Sequence, residues 1–104
     1  MKIGVDIISV ARIKKLLLNK RAKERVFTVE EMNDLGENAM RLAGRWAAKE
    51  AYFKASGHRC DWLEIEIRNK KNGEPYFSKP ENIKNISLSI SHESEYAVAM
   101  VIIK

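Results

Sequence analysis

With 104 residues, 45% of them hydrophobic and 32% charged, the chain has the composition of an ordinary soluble globular protein. One domain over 1–104 is expected, large enough to bury roughly two-thirds of the surface its unfolded form exposes. No apolar run approaches the ~20 residues that span a bilayer, the N-terminus has no signal-peptide design, and one cysteine, Cys60, builds neither a disulfide framework nor a cysteine zinc site. A free thiol in a reducing cytoplasm fits that count. The net charge of +5 favours an anionic partner, which could be nucleic acid, a phosphorylated small molecule or an acidic protein.

Residues 2–8 alternate, with Ile3, Val5 and Ile7 on one face and Gly4, Asp6 and Ile8 on the other, which predicts a strand. Asp is poorly suited to a strand interior, so Asp6 either ends the strand or holds the turn that follows. Ser9 is a suitable N-cap for a helix running to about Lys20, with Val10, Ile13, Leu16 and Leu17 on its apolar side. The polar side carries Arg12, Lys15, Lys20 and Arg21, a basic face suited to an acidic partner or to solvent. Thr28 and Glu31 have capping-box spacing, and Phe27 and Met32 stand where a hydrophobic staple would place them. Gly36 and Asn38 mark a break before the next helix.

That helix, over 41–57, reads RLAGRWAAKEAYFKASG and closes on Gly57, a residue suited to a left-handed C-cap. At about 100° per residue, Leu42, Trp46 and Phe53 form a core-facing stripe, with Glu50 at its edge. Arg41, Arg45 and Lys49 recur every fourth residue as a basic ridge. Glu50 has Lys54 at i+4, a spacing that by itself makes an ordinary surface pair.

Beyond a short loop, residues 62–68 alternate, with Leu63, Ile65 and Ile67 inward and Glu64, Glu66 and Arg68 outward. Asn72-Gly73 signals a turn, and Pro75-Tyr76-Phe77 a returning edge strand. A polar connection covers 79–85. Residues 86–91 alternate Ile and Leu with Ser, His92 to Glu95 make a turn, and Tyr96–Ile103 is the last and most hydrophobic strand. The order predicts an α+β fold: a mainly antiparallel sheet with three helices inserted after the first strand.

The chain has no Gly-rich phosphate loop, no HExxH pattern and no dinucleotide fingerprint. Two carboxylates stand out by position, Asp6 on the first strand and Glu50 on the long helix. A helix packed across that strand would let them share a hard divalent cation, since Mg²⁺ favours one or two carboxylates completed by waters and phosphates. Lys54 and His92 could then neutralise phosphate oxygens. A non-catalytic basic module for nucleic acid or an acidic protein is the rival reading, and it makes Asp6 and Glu50 replaceable.

The pieces GVDIISVARI (4–13), VFTVEE (26–31), RLAGRWAAKEAYFKASG (41–57), WLEIEI (62–67), NGEPY (72–76) and SLSISHESEYAVA (87–99) occur in one order. Together they resemble the holo-acyl-carrier-protein synthases, the small type of 4′-phosphopantetheinyl transferase, from end to end. The resemblance implies transfer of the 4′-phosphopantetheine arm of coenzyme A to a serine of apo acyl carrier protein, in support of fatty acid biosynthesis. It implies Mg²⁺ on Asp6 and Glu50, and Lys54 as the lysine that neutralises the diphosphate and assists the leaving group. His92, Arg45, Lys49, Gly57, Gly73 and Pro75 become candidates for holding coenzyme A. Arg12, Lys15 and Arg21 match the face presented to the acidic carrier protein, which accounts for the charge better than nucleic acid does. The resemblance leaves the base open: a metal-bound or carboxylate-held water, with Glu31 and Glu93 as further options. Relatives of this length are homotrimers with active sites between subunits, so exposed apolar surface is expected here. The loop from Gly57 to Trp62 is shorter than the Gly-rich loop of many relatives.

Overall fold

The computed structural model describes residues 1–81 and 83–104. Strand β1 (Lys2–Ser9) leads into helices α1 (Val10–Leu17), α2 (Lys20–Val26), α3 (Val29–Leu35) and α4 (Ala39–Ser56). A 3-10 turn (Trp62–Glu64) then precedes strands β2 (Glu66–Asn69), β3 (Pro75–Lys79), β4 (Ile86–His92) and β5 (Tyr96–Ile103). Every strand pairing is antiparallel: β1, β5 and β4 make one sheet with β5 central, and β2 and β3 make a separate hairpin. The α+β class is the expected one. The polar connection expected over 79–85 includes Asn82, which lies outside the described residues.

Two expectations are corrected. The basic segment after Ser9 forms two helices rather than one, so four helices follow β1 among the described residues. The Asn19 side chain accepts from the Ala22 N–H at 3.1 Å, and this local bond starts a new helix where the first would have continued. Residues 62–68 are not one alternating strand either. Asp61 accepts from the Leu63 N–H, Glu64 accepts from the Asp61 N–H, and the resulting capped turn leaves Leu63 exposed. The pairing with β3 then slips between Glu66 and Ile67, so Ile65, Glu66 and Ile67 are all buried and Glu66 points inward.

Helix α4 is the centre of the core. Asn38 caps its start by accepting from the Arg41 N–H, and Gly57, at φ 69°, closes its end in the left-handed region. The helix packs on β1, β5 and β4 through Ala43, Ala47, Ala48, Ala51 and Ala55, all buried. Small side chains let the backbones come close. At Gly4 the approach is so tight that a Cβ would meet the Ala51 carbonyl oxygen at 2.0 Å and the Ala55 nitrogen at 2.7 Å. This contact turns Gly4, Asp6 and Ile8 toward α4 and leaves Ile3, Val5 and Ile7 on the outer face, 60%, 51% and 64% exposed. In register beside them on β5 are the exposed Val98 and Met100. The sheet therefore shows an uncovered apolar surface. No helix among the described residues is long and apolar enough to cross a membrane.

Candidate active site

The crossing of α4 over β1 sets Asp6 beside Glu50 and Lys54. Lys54 Nζ donates to Asp6 Oδ1 at 3.2 Å and to the Val5 carbonyl at 3.0 Å. Burial pushes the Asp6 carboxyl above its ordinary range; the Lys54 hydrogen bond and charge pull the other way, and the nearby Glu50 charge adds to the rise. Glu50 does not pair with Lys54 as the helical spacing suggested. Its two oxygens instead accept from Arg59 Nη2 at 3.2 and 2.9 Å, across the Gly57 turn. The local i,i+4 pair gives way to two longer-range ones, Lys54 with Asp6 and Glu50 with Arg59.

The expected basic ridge is not a ridge. Only Arg41 is exposed, while Arg45 is 4% and Lys49 0% exposed. Lys49 Nζ donates to Glu31 Oε1 at 2.8 Å, the Val26 carbonyl at 2.6 Å and the Trp62 carbonyl at 3.2 Å. Those three bonds use all three ammonium donors, so Lys49 offers none to coenzyme A in this arrangement. Glu31 is equally committed: it also accepts from the Thr28 and Ile67 N–H groups, and its full burial removes it as a base. Glu66 lies alongside. Burial pushes its carboxyl up, but the Thr28 and Ser78 hydroxyls that donate to it, with the charges of Lys79 and Arg68, bring it below its ordinary value.

Arg45 belongs to a second feature, a cleft of about 530 Å³ lined by Arg41, Arg45, Arg68, Asn69, Gly73, Pro75 and His92. Arg45 Nη2 donates to the Asn69 side chain, and its buried Nε has no partner among the described residues. Asn69 in turn donates to the Gly73 carbonyl at 2.7 Å, which ties the β2–β3 turn to the cleft wall. Arg68 forms a fork with Asp34 at 2.9 and 2.8 Å and holds that carboxyl below the usual range. Four of the coenzyme A candidates, Arg45, Gly73, Pro75 and His92, thus converge in one cationic cleft. Asp6, Glu50, Lys54 and Gly57 do not line it. Arg45 and Glu50 are five positions apart on α4, about 140° round its axis, so the two groups face opposite ways within one chain.

Arg12 and Lys15 are exposed on α1, and Arg21 is exposed on α2. The Arg12 guanidinium sits 5.3 Å over the Trp46 ring, anchored to α4 through a cation–π contact. Arg21 borders Arg25 and Trp62 in a shallow groove.

The family model of the 4′-phosphopantetheinyl transferase superfamily matches residues 2–101. The chain belongs to the holo-[acyl-carrier-protein] synthases of that superfamily. It is 38% identical to the enzyme of Nautilia profundicola, over 97% of each chain, and 40% identical to that of Geobacillus kaustophilus, over 98% of this chain and 87% of the relative. The Helicobacter pylori synthase, solved in complex with coenzyme A, has a TM-score of 0.85 at 30% identity, covering 98% of this chain and 99% of that one. A Bacillus anthracis synthase in complex with CoA (3′,5′-ADP) has a TM-score of 0.83 at 40% identity, covering 96% and 92%. The chain is an enzyme of this transferase class, and its α+β fold is the family fold.

The donor set suits the metal that the resemblance implies. Among the described residues no group of three or more His, Cys, Asp or Glu could hold an ion alone. Two carboxylates coupled through space leave the remaining positions to water and substrate phosphate, the habit of Mg²⁺ rather than of a caged structural metal. Sequence reasoning missed Arg41, Arg68 and Asn69 in the cleft, and Arg59 on Glu50. Arg41 had a signal in its spacing with Arg45, but Arg68, Asn69 and Arg59 had none, because only the packing of the β2–β3 hairpin and the 57–61 loop against α4 brings them in.

Proposed function

We propose that the whole of 1–104 is one domain that transfers the 4′-phosphopantetheine arm of coenzyme A to a serine of an acidic apo acyl carrier protein, releasing adenosine 3′,5′-bisphosphate. The observation that carries this reading is the seating of Glu50 and Lys54 beside Asp6 by the Gly4 contact, in a chain of this family. The serine oxygen attacks the β-phosphorus in line; a new P–O bond forms, the bond to the bridging oxygen breaks, and the electron pair leaves on the adenosine bisphosphate. Lys54 faces the charge that grows on the departing phosphate. Mg²⁺ held by Asp6 and Glu50 would neutralise diphosphate oxygens when bound. A water held by those carboxylates accepts the serine proton, since Glu31 is sealed in the core.

The cationic cleft holds the 3′-phosphoadenosine end, with His92 and Arg45 toward phosphate and Gly73 and Pro75 as its wall. Because cleft and carboxylates face opposite ways on α4, a complete site takes one from each of two copies. A homotrimer satisfies that, and the bare face of Ile3, Val5, Ile7, Val98 and Met100 gives it apolar surface to cover. Arg12, Lys15 and Arg21 receive the acidic carrier protein. The reaction serves fatty acid biosynthesis in the cytoplasm, with no part for nucleic acid or membrane.

Incubation with coenzyme A, Mg²⁺ and apo carrier protein, followed by mass spectrometry, tests the reading. A phosphopantetheine added to the carrier protein, and lost in Asp6→Ala and Glu50→Ala with the fold intact, is expected. No mass gain on a competent carrier protein would sink it and return the chain to a non-catalytic basic module.

A further inference from the structure

Each carboxylate assigned to the metal is already matched by a cation of the same chain. Asp6 has Lys54 at 3.2 Å, and Glu50 has Arg59 at 2.9 Å. The Arg59 side chain is 58% exposed, yet it is held in place. Its guanidinium carbon lies 4.7 Å from the Phe53 ring centre and 5.9 Å from that of Trp62, and these two rings pack edge to face at 5.4 Å. The aromatic shelf and the Nη2 group shared between the two Glu50 oxygens hold the guanidinium from two directions. The partner it holds is mostly withdrawn from water, with the Glu50 side chain 16% exposed.

The charges balance without a metal: two carboxylates face two cations. A divalent ion arriving alone must either displace Arg59 from Glu50 or leave the site with two excess positive charges in a partly desolvated pocket. An ion arriving with a diphosphate meets neither penalty, because the diphosphate supplies negative charge for the metal and for the displaced guanidinium. We propose that Arg59 is the counter-ion of Glu50 that withholds this carboxylate from a divalent cation until the diphosphate of coenzyme A is present. Metal and coenzyme A then bind interdependently, each raising the affinity of the other by the same factor. This rests on the reading of Asp6 and Glu50 as metal ligands.

Mn²⁺ is the probe, its free concentration followed by electron paramagnetic resonance without carrier protein, so that no turnover occurs. The wild type is expected to bind Mn²⁺ weakly alone and tightly with coenzyme A. Arg59→Met keeps an apolar side chain on the aromatic shelf and removes the charge; it should bind Mn²⁺ alone roughly tenfold tighter, with the gain from coenzyme A reduced by the same factor. Arg59→Lys, which restores a cation, should move both values back toward wild type. Unchanged Mn²⁺ affinity in Arg59→Met overturns the proposal, as does a wild type that binds Mn²⁺ equally well with and without coenzyme A. The underlying reading fails separately, and takes the proposal with it, if Asp6→Asn leaves Mn²⁺ binding intact. The wild-type comparison stands even if Arg59→Met does not fold.

Discussion

Gly4 and Ala51 are in backbone contact: a Cβ on Gly4 would lie 2.0 Å from the Ala51 carbonyl oxygen. No rotamer relieves that overlap, because both parties are main chain. Gly4→Ala must therefore lift α4 from β1. The cost should be about 3 kcal/mol or more in a urea melt. Whatever fraction stays folded should lose about a hundredfold in kcat, since a shift near 1 Å parts Asp6 from Glu50. An unchanged urea midpoint would show that the close approach is not needed.

Asp6 should trade stability for function. Burial holds its carboxyl above the ordinary 3.8 despite Lys54, so the folded state binds this proton more tightly than the unfolded chain does. The stability that comes from this proton is complete below the unfolded value and is lost as pH rises through the raised one. At pH 7 the ionised group is thus a cost, and Asp6→Asn should melt no lower than wild type, with any advantage vanishing below about pH 4. Activity in the same variant should fall by about 10²–10³. Thermal melts at pH 7 and pH 3.5 beside a transfer assay check both halves; a variant that melts well below wild type at pH 7 contradicts the first.

Lys49 should matter to stability and not to coenzyme A. Lys49→Met leaves the Glu31 carboxylate buried without its cation, at a cost of about 3–5 kcal/mol. Adding Glu31→Gln removes the stranded charge, and the double variant should regain 1–2 kcal/mol or so of that loss. Chemical denaturation of the two single variants and the double gives the coupling. A single variant that keeps its stability while its KM for coenzyme A rises would restore Lys49 to the ligand.

The cleft should read the 3′-phosphate. His92→Ala and Arg41→Ala are each expected to raise KM for coenzyme A by about tenfold, the worth of one charged contact, with kcat little changed. The same variants should hardly affect dephospho-coenzyme A, which lacks that phosphate. Equal losses on both substrates would place these side chains elsewhere on the ligand.

Much of the chain was legible because the physics was local. The Thr28–Glu31 capping box forms as its spacing requires, and Gly57 takes the left-handed conformation its place after the helix invites. Both depend on groups within one helical turn. The Asn19 cap was equally local, yet the apolar spacing of Leu16 and Leu17 carried the expected helix past it.

What sequence could not decide was where each charge finds its partner. Ile3, Val5 and Ile7 share a strand face, but only the Gly4–Ala51 contact determines that this face looks outward and Asp6 inward. Arg41, Arg45 and Lys49 repeat identically along α4, and their fates diverge: Arg41 is exposed at the rim of the cleft, Arg45 is buried in its wall, and Lys49 is in the core with Glu31. The burial that separates them comes from α2, α3 and the β2–β3 hairpin, elements remote along the chain. Sequence by itself determined the family, the Thr28–Glu31 capping box and the Gly57 cap, and it singled out Asp6 and Glu50 as candidates. Tertiary structure alone gave Asp6 to Lys54 and Glu50 to Arg59, because an ion pair between distant residues exists only once packing has brought them within reach and withdrawn them from water.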